Sequence, residues 1–336
     1  MSALTTSISP RANVDAASRT VDYLRISITD RCNERCLYCL PEGFTDWKKR
    51  EEILGYEEIL HAVRAAVGLG FRKFRVTGGE PLLRRDAELF IRDLIAEAGV
   101  ERVGLSTNGT RLAALAPALA AAGLRSANIS LDAIEPEIYR QITGGNLRDV
   151  LAGIEAAQAA GISELKLNCV LMRGVNESQI MPLVQFAATH GLVLRFIELM
   201  PVSLTSVLNE ENFFPIHEAK KIIGAHTAMA HDGMRRGNGP AVYFSLPEFR
   251  ATVGFIGALT DFHFCEACNK IRLTADGRIR PCLGDHGEID LEPALRPELD
   301  PVLLRGLFLQ ALREKPAEHG FRNNYQPGRV MTAIGG

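Results

Sequence analysis

A chain of 336 residues with 46% apolar content and a formal net charge of −2 has the composition of a globular protein with a sizeable core, divided into one large domain or two ordinary ones. It has no block of five or six like charges and no run of eighteen apolar residues, which argues against nucleic acid, an anionic membrane or a bilayer-spanning helix. No secretory pattern opens the chain, so a soluble, cytoplasmic protein is expected, and any anionic ligand has to be held by basic residues placed locally.

Residues 1–20 read as a flexible segment. From residue 21 to about 200, short apolar runs alternate with segments of helical period, the pattern of repeated strand-helix units in a parallel sheet. Strands are expected at 23–29, 72–77, 102–106, 126–131, 164–171 and 192–199. Helical stripes lie between them: Tyr56, Ile59, Leu60, Val63 and Val67; Leu147, Val150, Leu151 and Ile154; Ile180, Leu183, Val184 and Ala187. Six such units predict an α/β fold, a partial (β/α)6 TIM-type barrel over residues 21–215. The pattern breaks near Pro201. Residues 216–336 are expected to form a smaller α+β region capping the barrel mouth, with short antiparallel strands around Tyr243, Phe244 and Val253 to Ile256. A helix from Pro301 to Leu312 and a loop-like tail ending in Gly335-Gly336 complete it.

Strands buried on both faces normally read as continuous Val, Ile and Leu. Five of these strands instead carry a polar parity: Arg25, Ser27 and Thr29; Lys73, Arg75 and Thr77; Ser106; Asn128 and Ser130; Lys166 and Asn168. The alternate parity is apolar and suits the helix layer. Inside a barrel, unpaired charge would cost several kcal/mol per ion, so a polar ligand or dense internal pairing has to compensate. The other reading is an open sheet whose polar side faces water.

Six of the seven cysteines form two groups. Cys32-x3-Cys36-x2-Cys39 follows directly on the first strand, and three thiolates in so tight a loop suit a four-iron cubane better than a closed tetrahedral zinc site. The fourth iron is then free to take a small molecule. Cys265-x2-Cys268-x13-Cys282 is again a group of three, but here His263 or His286 could complete a zinc site, and zinc stays open on spacing alone. Lys270 and Arg272 nearby favour an open, anion-attracting site. Cys169 reads as a small buried hydrophobe.

The string Cys32-Asn33-Glu34-Arg35-Cys36-Leu37-Tyr38-Cys39, with Thr77-Gly78-Gly79-Glu80-Pro81 downstream, resembles the radical S-adenosylmethionine enzymes. Leu24 to Asp30, Ser106 to Gly109, Lys166 to Asn168, Val170 to Met172, Arg195 to Met200, Cys268 to Arg272 and Gly335-Gly336 are similar to the GTP 3′,8-cyclase family, which performs the first step of molybdenum cofactor biosynthesis. The resemblance covers residue 21 to the last residue.

That resemblance implies two 4Fe-4S clusters, on Cys32, Cys36 and Cys39 and on Cys265, Cys268 and Cys282. It implies S-adenosylmethionine at Tyr38, Gly79, Ser130 and Met200, and GTP at Arg25, Arg75, Ser106, Lys166, Lys270, Ile271 and Arg272. A 5′-deoxyadenosyl radical would take the ribose 3′-hydrogen and the carbon radical would attack guanine carbon 8, giving (8S)-3′,8-cyclo-7,8-dihydroguanosine 5′-triphosphate. Turnover would depend on Arg25, Arg272, Gly335 and Gly336. An external low-potential donor of flavodoxin or ferredoxin type, cyclic pyranopterin monophosphate synthase downstream and a homodimer are the implied partners. Lys270 stands where the family usually has Arg, Ser106 where it has Thr, and Gly284 where an aromatic is common. Rival readings are another radical enzyme with an auxiliary cluster, or a non-enzymatic iron-sulfur or zinc protein.

Overall fold

The structure, a computed structural model, describes residues 12–205, 207–233 and 239–336. Six strands, β1 (Tyr23–Ser27), β2 (Lys73–Thr77), β3 (Arg102–Thr107), β4 (Ser126–Ser130), β5 (Glu164–Leu171) and β6 (Val193–Glu198), lie side by side, parallel and in chain order. Each falls within two residues of its expected bounds. Helices α1 (Tyr56–Leu69), α2 (Ala87–Ala96), α3 (Leu112–Ala121), α4 (Pro136–Thr143), α5 (Leu147–Ala159) and α6 (Ile180–Thr189) fill the crossovers. The unit between β4 and β5 carries two helices, because Gly144 ends α4 in a left-handed turn and the Asn146 side chain then caps α5 by accepting from the Arg148 N–H at 3.2 Å.

The polar parity does not face water. Leu24, Ile26, Phe74, Val76, Leu105, Ile129, Leu165 and Leu167 enter the core beneath the helices, while Arg75, Asn128 and Lys166 on the opposite parity are also buried. Both faces of the sheet are therefore covered, as in a barrel.

The C-terminal region does more than cap the mouth. It contributes α7 (Ile216–Gly224), β7 (Ala230–Asp232), β8 (Val242–Leu246), β9 (Ala251–Ile256), β10 (Lys270–Leu273), β11 (Arg278–Arg280), β12 (Ile289–Asp290), α8 (Glu292–Leu295), α9 (Pro301–Arg313) and α10 (Met331–Ile334). The hairpin of β8 with β9 is antiparallel as expected, but β9 also lies parallel to β6, and β10 lies parallel to β1. The described strands make one sheet in the order β12-β11-β10-β1-β2-β3-β4-β5-β6-β9-β8-β7. The C-terminal region thus extends both edges of the six-stranded unit. Helix α9, capped by Asp300 through the Val302 and Leu303 N–H groups, packs on α1, and the Phe308 and Phe71 rings lie 6.2 Å apart.

Of the segment expected to be flexible, residues 1–11 lie outside the described residues. Residues 12–20 are instead tied down: Arg19 is paired with Asp15 at 2.7 Å and donates to the carbonyls of Cys265, Pro316 and Ala317. No helix among the described residues is long and apolar enough to cross a membrane.

The two parities should differ in stability measurements. Ile129→Ala, which opens a cavity in the core, should lower the unfolding free energy in urea by about 2–5 kcal/mol. Asn128→Ala, next to it on the cavity side, should change it by less than about 1 kcal/mol, because its Oδ1 has no hydrogen-bond partner to lose.

Candidate active site

The C-terminal ends of the strands surround a cavity of about 360 Å³. All six grouped cysteines line it, three from the loop after β1 and three from the segment that flanks β10 and β11. None is in a disulfide. Cys169 is fully buried under the sheet, away from both groups.

The first group is held by contacts that position its loop. The Arg35 N–H and Leu37 N–H donate to the carbonyls of Thr143 and Ile142 at the end of α4. Tyr38 donates its hydroxyl to Asp132 at 2.6 Å, and the other Asp132 oxygen accepts from the Val170 N–H at 2.7 Å, so the loop is tied to the ends of β4 and β5. Glu34 accepts from Tyr139 at 2.6 Å. The Gly78-Gly79 turn lies against the loop's start, where the Gly79 and Glu80 N–H groups donate to Thr29 and Arg31 carbonyls. A Cβ on Gly79 would strike the Arg31 carbonyl, so only glycine fits. Glu80 is fully buried and spends its carboxylate on the Leu82 N–H, the Asn108 N–H and the Thr107 hydroxyl.

Burial pushes Glu34 and Glu80 up to about 7, Asp132 up to about 6 and the Cys32 thiol up to about 12. A donor set of three half-buried thiols beside the Glu34 and Glu80 carboxyls fits a ligand that brings its own positive charge, which iron does.

In the second group burial still raises Cys265 and Cys282, and the balance is reversed at Cys268 alone. Burial opposes ionisation of Cys268, but Lys315 and Lys270 outweigh it and draw the thiol below its ordinary value. Neither candidate histidine is turned toward the thiols. His263 is exposed and pairs with Glu266 at 2.6 Å, and the His286 ring stacks on Tyr325 with centroids 4.7 Å apart. Among the described residues, no three His, Cys, Asp or Glu side chains are grouped closely enough for a single metal ion.

Between the two groups the wall is cationic. Arg25, Arg75, Ser106, Lys166, Lys270 and Arg272 all line the cavity, as do Tyr38, Gly79, Ser130 and Met200. Arg75 is fixed by Tyr23 at 2.6 Å and the Leu105 carbonyl at 2.6 Å. Ile271 borders the cavity as well, but its side chain belongs to the core beside Leu24, leaving its main chain as what it can offer. Burial lowers Arg25 and Lys270 below their ordinary values and brings Arg272 to about 9; burial and then the charge of Arg195 bring Lys166 to about 8.

The tail enters this wall. The Gly336 main-chain oxygen accepts from Arg25 and from the Thr77 hydroxyl, and the Gly335 carbonyl accepts from Arg272. Gly335 has a φ of +86° and sits against Ser27, 2.8 Å from where a Cβ would meet that side chain, so a larger residue would be both strained and crowded there. A four-residue helix, α10, precedes the two glycines, which themselves have no regular secondary structure and are held by the contacts above.

Several wall residues were not singled out from sequence. Arg195 projects from β6 beside Tyr243, and among the described residues its Nε and Nη2 have no hydrogen-bond partner. Asn128 Oδ1, Asn168 Oδ1 and Arg25 Nε are likewise buried without partners, and all belong to residues of this one cavity. Such groups are costly unless a ligand meets them. Tyr23 could have been found by extending the polar parity of β1 one position back; Arg195, Lys315 and Asp132 had no such signal.

A parallel-stranded barrel with a three-cysteine loop after its first strand and a glycine pair after its second defines a radical S-adenosylmethionine enzyme. The Radical SAM superfamily model matches residues 26–187, and the Molybdenum Cofactor Synthesis C model matches residues 192–321. Radical SAM membership carries S-adenosylmethionine and a 4Fe-4S cluster with it. The Streptococcus suis SuiB structure with precursor peptide SuiA shares the fold, with a TM-score of 0.63 at 13% identity over 90% of this chain and 66% of that one. Among curated relatives, the GTP 3′,8-cyclase of Moorella thermoacetica is 43% identical over 96% of this chain and 99% of its own length. That of Hydrogenovibrio crunogenus is 38% identical over 97% and 100%. The chain belongs to the GTP 3′,8-cyclase family.

The shifted groups predict how anion binding depends on pH. Burial opposes ionisation of Tyr23, but Arg75 and Arg25 outweigh it and draw the phenol down to about 8. As pH rises through about 8, Lys166 loses a positive charge and Tyr23 gains a negative one, and both changes weaken the hold on a polyphosphate. Nucleotide affinity measured by calorimetry between pH 7 and about 9 should therefore fall, and the double variant Lys166→Met with Tyr23→Phe should flatten the profile.

Proposed function

We propose that the chain cyclises GTP to (8S)-3′,8-cyclo-7,8-dihydroguanosine 5′-triphosphate, the first step of molybdenum cofactor biosynthesis, within the single cavity that both cysteine groups line. The observation that carries this reading is the set of cations between them. Arg25, Arg75, Lys166, Arg195, Lys270 and Arg272 line one cavity, and a triphosphate is a substrate with enough negative charge to match them.

Cys32, Cys36 and Cys39 would hold the first cluster, with Tyr38, Gly79, Ser130 and Met200 around S-adenosylmethionine. The chemistry supplied there is a one-electron cleavage that gives a hydrogen-abstracting carbon radical. Cys265, Cys268 and Cys282 would hold a second 4Fe-4S cluster, which would supply a binding position for the guanine base.

The protein's own contribution is orientation. Arg75 is pre-set by Tyr23 and the Leu105 carbonyl, so it meets a phosphate without first being ordered. Lys166 adds a point charge from β5, and Arg25 and Arg272 join the substrate to the tail. With these groups holding the triphosphate, the ribose lies between the cysteine groups, its carbon 3′ toward the first and its base toward the second. Leu40, Val170, Leu199 and Val202 line the same cavity and help exclude water from a reactive carbon radical. An external donor of flavodoxin or ferredoxin type supplies the electron, and cyclic pyranopterin monophosphate synthase consumes the product.

The test is anaerobic incubation of reduced protein with S-adenosylmethionine and GTP. A cyclic nucleotide derived from GTP should accumulate in step with 5′-deoxyadenosine, and the protein should contain about eight irons per chain. Release of 5′-deoxyadenosine with no GTP-derived product would overturn the substrate; zinc with little iron would overturn the chemistry. Arg272→Ala should cut GTP turnover on the order of 10²-fold or more while leaving first-group iron in place, because it strips a buried cation from the substrate. Normal turnover by that variant would remove Arg272 from the site.

A further inference from the structure

Lys315 follows α9 at the C-terminal side of the cavity and is 3% exposed. A buried ammonium is costly unless every proton finds an acceptor. Its three acceptors are Cys268 Sγ at 3.4 Å, the Lys270 carbonyl at 3.0 Å and the Pro281 carbonyl at 2.8 Å. Lys270 lies two residues after Cys268, and Pro281 immediately precedes Cys282. One side chain therefore grips the segments that carry two of the three cysteines.

The third segment is fastened to the same place. Arg19 donates to the Cys265 carbonyl at 3.0 Å and, with its remaining donors, to the carbonyls of Pro316 and Ala317 at 2.6 Å each. Residues 315–317 are thus the hub at which all three cysteine segments meet. Among the described residues, no carboxylate pairs with Lys315, so its nearest anionic partner is the sulfur it touches.

We infer that Lys315 is a positioning residue for the second cysteine group, setting the orientation of Cys268 and placing a permanent positive charge against the cluster that this group holds. This rests on the reading that Cys265, Cys268 and Cys282 carry a 4Fe-4S cluster. Hydrogen bonds to sulfur and nearby charge are two of the means by which a protein sets a cluster's reduction potential. A cation at this sulfur favours the reduced, more negative state, so it raises the potential.

The experiment uses the full-length protein, reconstituted anaerobically, with iron and sulfide counted and each cluster followed by electron paramagnetic resonance during a redox titration. The wild-type protein is measured first. If it holds about four irons rather than about eight, the second cluster itself is rejected, separately from any role for Lys315. Given about eight, Lys315→Met should keep the first cluster's midpoint and move the second's to more negative potential, and Lys315→Arg should restore it most of the way. Loss of second-cluster iron in Lys315→Met with retention in Lys315→Arg also supports the inference, since the charge is then needed to assemble the site. An unchanged second midpoint in a fully loaded Lys315→Met protein overturns it. So does equal loss of iron in both variants, which would reduce Lys315 to packing.

Discussion

The structure depends on a concentration of positive charge that the protein neutralises only in part, through the Glu164 carboxylate 3.8 Å from Lys166. Arg25, Arg75, Lys166, Arg195, Lys270 and Arg272 project into one enclosed space, and of the carboxylates that line it, Glu34, Asp132 and Glu198 are occupied by Tyr139, Tyr38 with the Val170 N–H, and the Ile216 and Leu259 N–H groups. Charges so placed repel one another and resist desolvation, which is why burial moves several of them below their ordinary values. A polyanion relieves both penalties together. Substrate binding and the stability of the empty barrel are therefore opposed, a common arrangement where a site is built for a ligand rather than for the fold.

The tail is part of the same balance. Gly335 and Gly336 offer main-chain oxygens to Arg272 and Arg25. Each of these oxygens takes one guanidinium donor without adding a side chain to the space.

Much of this was legible in the amino-acid sequence. The succession of short apolar runs and helical segments placed β1 to β6 within two residues, and in β1 to β5 an apolar parity against the helices alternates with a polar parity over the cavity. Arg25, Arg75, Ser106 and Lys166 came from that alternation before any family likeness. Arg195 escaped it because its neighbours Leu194, Phe196 and Ile197 leave a single polar position with no repeat. The strand β10 was hidden as well: Lys270 to Leu273 is too short to show a period, and its partner β1 lies far back in the chain, Tyr23 facing Lys270. Lys315 lies 47 residues from the sulfur it touches, so only the folded structure brings the two together.

The way β9 and β10 flank the first six strands bears on modularity. The two family models divide the chain between residues 187 and 192, yet the sheet does not divide there. A polypeptide truncated after residue 215 would bare the outer edges of β1 and β6, which β10 and β9 otherwise pair, and would strip α9 from α1. Open edges of that kind invite intermolecular pairing. The halves are better regarded as one cooperative folding unit than as a catalytic barrel with a detachable accessory, and recombination between relatives would have to exchange β9 and β10 along with the strands that they flank.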